Sequence, residues 1–225
     1  MAGISHRVSI AWLPAPHSEP TSTVVLTSPG RRFVDVRVLG TTKESQELDW
    51  ALAGTSSSTP VAKGVSDCVW RHWVDSHYEN EDADAQVDRG RNTDQPDGTV
   101  LETGAMVNPA TGKVQDYEEV WRDDDLPASS RCVVLQHESD KGDRGVAIVL
   151  GPYCQGILRT KKEGVTVERW QRETVEDMDD WKLVFRLGSG KLPCKALTER
   201  QSLREGEDLV VGSNQTWTVM EAAKV

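Results

Sequence analysis

Hydrophobic and polar positions alternate with a period of two along much of this chain. Arg7-Val8-Ser9-Ile10-Ala11-Trp12, Thr23-Val24-Val25-Leu26-Thr27, Phe33-Val34-Asp35-Val36-Arg37-Val38 and Val165-Thr166-Val167-Glu168-Arg169-Trp170 all read this way. The pattern, rich in β-branched residues (valine alone occurs 27 times), belongs to strands that bury one face and wet the other. Turn signals punctuate the strands at short intervals, among them Ser28-Pro29-Gly30, Pro96-Asp97-Gly98 and Asn108-Pro109. No segment carries a helical stripe over three turns. The pattern predicts an all-β protein of antiparallel hairpins with a dozen strands or more.

Weak self-similarity divides the chain. Gly98-x-x-Leu101-x-x-Gly104 and Gly206-x-x-Leu209-x-x-Gly212 share a spacing, and each precedes an alternating, tryptophan-bearing strand. We therefore expect two halves, residues 1–127 and 128–225, joined near Leu126 to Ser130.

Composition narrows the function classes. The 225 residues carry 26 basic and 36 acidic side chains, a net charge of −10, and residues 1–127 hold 11 basic against 21 acidic groups. An acidic surface without a basic stripe repels phosphate backbones, so nucleic-acid binding is not expected. With no spanning-length apolar run and no signal-like N-terminus, membrane insertion is not expected and a cytoplasmic protein is. The acidic excess centres on residues 79–97 and on Asp123-Asp124-Asp125. The polarity of residues 79–97 predicts a solvated loop that tolerates shortening. Cys68, Cys132, Cys154 and Cys194 match neither zinc-ligand nor redox spacing and read as buried free thiols. His72 and His77 beside Asp75 read as exposed polar residues, and no metal or other cofactor is expected.

Eight tryptophans against two phenylalanines and three tyrosines are the compositional oddity. Most are expected to fill interiors, with a subset lining a cavity. Trp70 and Trp73, three positions apart, face opposite sides of a regular strand. In Tyr117-Glu118-Glu119-Val120-Trp121, alternation sends either Glu118 or Glu119 inward, where a carboxylate needs a partner such as Arg37 or Arg122. Glu102, Glu118 and Glu119 are accordingly the candidate catalytic carboxylates. Trp12, Arg37, Trp50, Trp73 and Trp121 are the candidate ligand-binding residues.

Four segments in series resemble a known family. Ile4-Ser5-x-Arg7-x-Ser9-Ile10-x-Trp12-Leu13-Pro14 with Ser18-Glu19-Pro20-Thr21, then Asp49 to Gly54, Leu101 to Met106 and Tyr117 to Arg122, are similar to the fungal HRI1 family in its filamentous-ascomycete form. The resemblance implies a lipocalin-like fold with two barrel-like halves. It brings no established catalytic residues, and the family name records association with a casein-kinase-type protein kinase. Three readings follow: a barrel binding a hydrophobic or polycyclic small molecule among tryptophans; a cofactor-free cyclase, pericyclase (Diels-Alderase-like) or isomerase of fungal secondary metabolism, by analogy of fold; or a non-catalytic interaction module with a kinase partner. A monomer or weak dimer is expected.

Overall fold

The computed structural model describes residues 2–40, 42, 45–172, 181–200, 202–212 and 215–225. The N-terminal half is a meander of eight strands: β1 (Gly3–Trp12), β2 (Thr21–Thr27), β3 (Arg32–Leu39), β4 (Glu47–Ala62), β5 (Val65–Asp75), β6 (Val87–Asp94), β7 (Val100–Asn108) and β8 (Lys113–Asp123). Each pairs antiparallel with the next, and β8 returns to β1 to close the barrel. A short helix, α1 (Asn80–Ala83), sits between β5 and β6. The C-terminal half contributes β9 (Arg131–Glu138), β10 (Arg144–Leu150), β11 (Tyr153–Thr160), β12 (Gly164–Gln171), β13 (Lys182–Leu187), β14 (Asp208–Val211) and β15 (Gln215–Lys224), with α2 (Cys194–Glu199) after β13. These strands form a seven-stranded sheet in the order β13-β12-β11-β10-β9-β15-β14; among the described residues, no pairing joins β13 to β14, so this half is an open sheet.

The sheet lies against the outside of the barrel. Ile4, Val24, Leu26, Val34, Val36, Val38, Ala51, Ala53 and Val74 point out of the barrel into one apolar layer with Cys132, Val134, Val146, Ile148, Leu150, Ile157 and Val167. A second apolar layer covers the other face of the sheet, where Val133, Leu135, Val149, Cys154 and Leu158 meet Leu192, Leu197, Leu203 and Trp217. Strands β10 and β11 are thus buried on both faces, which is why Val146 to Leu150 reads as a continuous apolar run. All four cysteines are buried and free.

Among the described residues, Gln155 and Arg169 are buried polar side chains of the sheet that reach the barrel backbone. Gln155 of β11 donates through Nε2 to the carbonyls of Val24 (3.0 Å) and Val34 (3.2 Å). Arg169 of β12 donates to Gln155 Oε1 (2.6 Å), to the Val36 carbonyl (2.6 Å) and to Ser22 Oγ (3.0 Å). Burial pulls the Arg169 pKa down to about 10. These bonds fix the register of sheet against barrel, which greasy contacts alone leave loose.

Two polar segments fold differently from their expected form. The acidic stretch 79–97 is not a dispensable loop: it contains α1 and the barrel strand β6, hydrogen-bonded to β5 and β7. Its polarity arises because the inner face of β6 looks into a polar cavity. Glu79 pairs with Arg159, and Asn80 Nδ2 donates to the Gly142 carbonyl (2.7 Å), so α1 is tied to the sheet. Nor is His72 an exposed residue: it is 4% exposed and held between two carboxylates.

Candidate functional site

The barrel encloses a cavity of about 460 Å³ that opens at the end where β1 begins and β8 ends. Its wall follows directly from strand alternation. Phe33, Asp35 and Arg37 of β3 face in while Val34, Val36 and Val38 face out; Cys68 and Trp70 face in from β5, Asp88 and Asn92 from β6, Glu102 from β7, and Tyr117, Glu119 and Trp121 from β8. Gly54 lets β4 and β5 approach at a bulge, since a Cβ there would lie 1.9 Å from the Arg71 carbonyl oxygen.

The inner end of the cavity is a charged network. Arg37 donates from Nε (3.0 Å) and Nη2 (2.9 Å) to the same oxygen of Asp35, Oδ2, and its Nη1 lies 3.6 Å from Glu119 Oε1. Arg7 donates to Glu119 Oε1 (2.7 Å), to Glu19 Oε2 (2.8 Å) and to Thr21 Oγ1 (2.8 Å). The Arg37 guanidinium also lies over the Trp50 ring, 4.8 Å from its centroid. Burial opposes the Arg37 charge, but Asp35 and Glu119 outweigh it and hold the pKa above its ordinary value.

Glu102 differs from its neighbours. It is buried, accepts a hydrogen bond from Tyr117 Oη (2.8 Å), and faces Glu119 across the β7–β8 ladder. Burial first, and the nearby Glu119 charge second, push its pKa up to about 8, so it is protonated at neutral pH. Burial likewise raises the Tyr117 pKa, with the Glu102 charge adding to it, so its hydroxyl stays a donor. Behind the wall, His72 bonds through Nδ1 to Asp75 Oδ2 (2.7 Å) and through Nε2 to Asp88 Oδ2 (3.0 Å). Burial would lower its pKa, but the two carboxylates overcome that and push it up to about 9.

Three polar atoms in this wall are buried without a protein partner: Asp35 Oδ1, Asn92 Oδ1 and Trp121 Nε1. Groups of this kind are normally satisfied by ordered water or by a ligand.

Of the residues singled out in the sequence, Arg37, Glu102, Glu119 and Trp121 meet in the cavity wall. Trp12 and Trp50 lie toward the other end of the barrel, Trp12 edge-on to Tyr117 at 6.1 Å and Trp50 donating to Asp75 Oδ1 (2.8 Å). Glu118 points outward and meets His17 Nε2 (3.1 Å). Trp73 also faces out, packing on the inter-half layer beneath Arg144. Both exclusions have one cause: each residue is an odd number of positions from an inward neighbour, Glu119 or Trp70. Arg122 is exposed, and the inward glutamate is met by Arg7 and Arg37 instead. Asp35, Trp70, Asp88 and Arg7 were not singled out. The shared face of Phe33, Asp35 and Arg37 in β3 signals Asp35, and the opposite faces of Trp70 and Trp73 signal that one of that pair turns inward. Among the described residues, no group of three or more metal-ligating side chains converges.

A second cleft, about 510 Å³, lies on the C-terminal half between Trp170, Trp181 and the basic residues Arg131, Lys195 and Arg200.

With this architecture in hand, residues 3–221 match the family described as Protein HRI1. The chain belongs to the HRI1 family. It is also similar in structure to an uncharacterized protein, YLR301w, of Saccharomyces cerevisiae, whose crystal structure superposes with a TM-score of 0.81 at 20% sequence identity over 99% of both chains. That likeness establishes a shared fold of closed barrel and appended sheet. Comparison with curated proteins finds no match. No helix among the described residues is long and apolar enough to cross a membrane.

Proposed function

We propose that this HRI1-family chain is a small-molecule-binding protein whose ligand occupies the N-terminal barrel. The observation that carries the reading is the cavity of about 460 Å³ in a closed barrel, lined by both apolar rings and buried charged side chains. Ligand sites are commonly about 300–1,000 Å³, largely apolar, with a few convergent polar groups. Here Phe33, Leu52, Trp70 and Trp121 supply the apolar surface, and Asp35, Asn92 and Glu102 the polar one. The mixed lining favours an amphipathic ligand over the fully apolar one expected from tryptophan content alone.

The test is saturable change in tryptophan emission on titration with small amphipathic molecules, comparing the native chain with Trp70→Phe and Trp121→Phe. Loss of part of the response in either variant, with folding intact, supports the reading. If no ligand class perturbs the emission, the cavity is structural, and the interaction-module reading with a kinase partner takes its place.

One observation favours a catalytic variant of the same reading. Glu102, buried with its pKa pushed up to about 8, holds a proton at neutral pH and is placed to act as a hydrogen-bond donor or general acid. In a cofactor-free cyclase or isomerase, Glu102 would polarise a substrate carbonyl by hydrogen bonding while the wall holds the reactive conformer. Turnover abolished by Glu102→Gln, with ligand affinity retained, would separate this enzyme from a carrier.

A further inference from the structure

We propose that the ligand of the barrel carries a positive charge, and that the cavity takes a protonated amine attached to an apolar body. This rests on the small-molecule-binding reading and adds the chemical class of the ligand.

The charge of the wall is the first argument. Six carboxyl groups line the cavity, from Asp35, Asp88, Asp94, Glu102, Glu119 and Asp123, against the guanidiniums of Arg31 and Arg37. With Glu102 protonated, three formal negative charges are left over among the lining residues. The groups just behind the wall do not cancel them, because Arg7 is matched by Glu19 and His72 by Asp75. Arg169, which interacts with Asp35 from the inter-half layer, leaves the cavity anionic even when it is counted. Asp94, Asp123 and Arg31 are exposed, so the inner wall keeps Asp35, Asp88 and Glu119 against Arg37, and an imbalance of that sign attracts cations and disfavours anions.

The unsatisfied atoms are the second argument. Arg37 spends both of its donors to Asp35 on Oδ2, leaving Oδ1 buried with a lone-pair demand and no donor. Asn92 Oδ1 is a second acceptor in the same condition. Both atoms lack accessible surface, so an ammonium group, which brings three N–H donors and no acceptor, would reach the Asp35 carboxylate on a small side-chain shift, in a bond roughly twice as strong as a neutral one. A carboxylate or phosphate head would find a single buried orphan donor, Trp121 Nε1. The third argument is aromatic: Trp70 and Trp121 present rings to the cavity, surfaces that attract a cation as well as an apolar chain. Asp94 and Asp123, exposed at the mouth, place negative charge on the entry path.

Isothermal titration of the full chain with octylammonium, 1-octanol and octanoate tests the inference. At pH 7 octylammonium is expected to bind about tenfold tighter than the alcohol, with octanoate weakest. Asp35→Asn should bring amine and alcohol to within about threefold of each other. Should that variant fail to fold, the pH dependence of the native chain replaces it. Glu102 is faced by Glu119 and Tyr117 of β8, Arg37 of β3, Asp88 of β6 and Cys68 of β5, and its proton is lost as pH rises from 6.5 to 8.5. His72, behind Asp88, begins to lose its charge in the same direction. Both changes make the cavity more negative while an alkylammonium, with an ordinary pKa near 10, stays charged. Amine affinity should rise severalfold and alcohol affinity should not. Tighter binding of octanol or octanoate overturns the cationic class and leaves the binding reading standing. Tighter amine binding indifferent to both Asp35→Asn and pH overturns it too, by showing adsorption on the acidic surface. Failure of all three to bind overturns the cationic class, and the binding reading is then decided by the tryptophan-emission titration.

Discussion

Glu102→Gln should stabilise the protein, and increasingly so as pH rises. Glu102 is buried with its pKa raised from 4.5 to about 8, so between those values the native state holds a proton that the unfolded chain has released. Stability therefore falls with rising pH across this window, by up to about 1.4 kcal/mol per unit, and levels off above the folded pKa. Integrated from pH 6 to pH 9, the loss due to this group is about 3 kcal/mol. Glutamine keeps a carbonyl oxygen to accept the Tyr117 hydroxyl and has nothing to titrate. Urea unfolding of native and variant chains at pH 6, 7, 8 and 9 measures the difference. The gap should widen by about 3 kcal/mol over that range, with His72 and other titrations common to both chains cancelling. A gap that stays constant with pH would refute the argument, because it would mean Glu102 ionises alike in the folded and unfolded states.

His72→Gln should behave oppositely. The folded pKa of about 9 lies above the ordinary 6.5, so the stabilisation is fully present below pH 6.5 and lost as pH rises through 9; the variant should be weaker by up to about 3 kcal/mol at pH 6 and approach the native chain at pH 9 in the same urea series. Arg169→Met leaves Gln155 Oε1 and the Val36 carbonyl without their buried donor and should cost about 3 kcal/mol in denaturant unfolding, with Gln155→Leu in the same chain costing less than the two singly. Gly54→Ala puts a methyl group 1.9 Å from the Arg71 carbonyl oxygen, and the forced shift of β4 from β5 should cost about 2 kcal/mol, a fall in Tm of about 4–8 °C by calorimetry. Residues 1–127 expressed alone should aggregate or bind a hydrophobic dye, since the outward-facing apolar residues of β1 to β5 lose their cover; a soluble, cooperatively unfolding fragment would contradict this.

Strand content is legible because alternation and turn residues are local signals. The hairpins flanking Ser28-Pro29-Gly30 and Pro96-Asp97-Gly98 lie between β2 and β3 and between β6 and β7. The membership of β6 was hidden: Val87 to Asp94 holds one apolar residue, and only its pairing partners on both sides make it a strand. The inward choice between Glu118 and Glu119 was equally closed to local reasoning, since register is fixed by long-range pairing with β1 and β7. Tryptophan content alone does not separate cavity from core: Trp70 and Trp121 line the cavity and Trp73 does not. Trp73 is one of several aromatic side chains serving the layer between the halves, whereas Asp35 and Asp88, small acids in strand context, form the wall.

The polarity of the cavity and the position of the core have one origin. A free-standing barrel turns its apolar face inward and its polar face to water, and on that rule Val34, Val36 and Val38 would fill the interior. Here they face outward, because the C-terminal sheet covers that side of the wall and removes them from water at roughly 25 cal/mol per Å² of apolar surface. Period-two alternation then forces Phe33, Asp35 and Arg37 inward on the same strand. Once the stabilising layer lies between the halves, the barrel interior no longer has to be close-packed or apolar to keep the fold. It can hold two buried arginines, a protonated carboxyl group and about 460 Å³ of open space. The sheet thus acts on the site without touching it: Gln155 and Arg169 grip the backbone carbonyls of Val24, Val34 and Val36, the residues adjacent in sequence to Asp35 and Arg37 among them. Movement of the sheet across the barrel would move Asp35 and Arg37 with their strand, which couples the register of the two halves to the geometry of the anionic cavity.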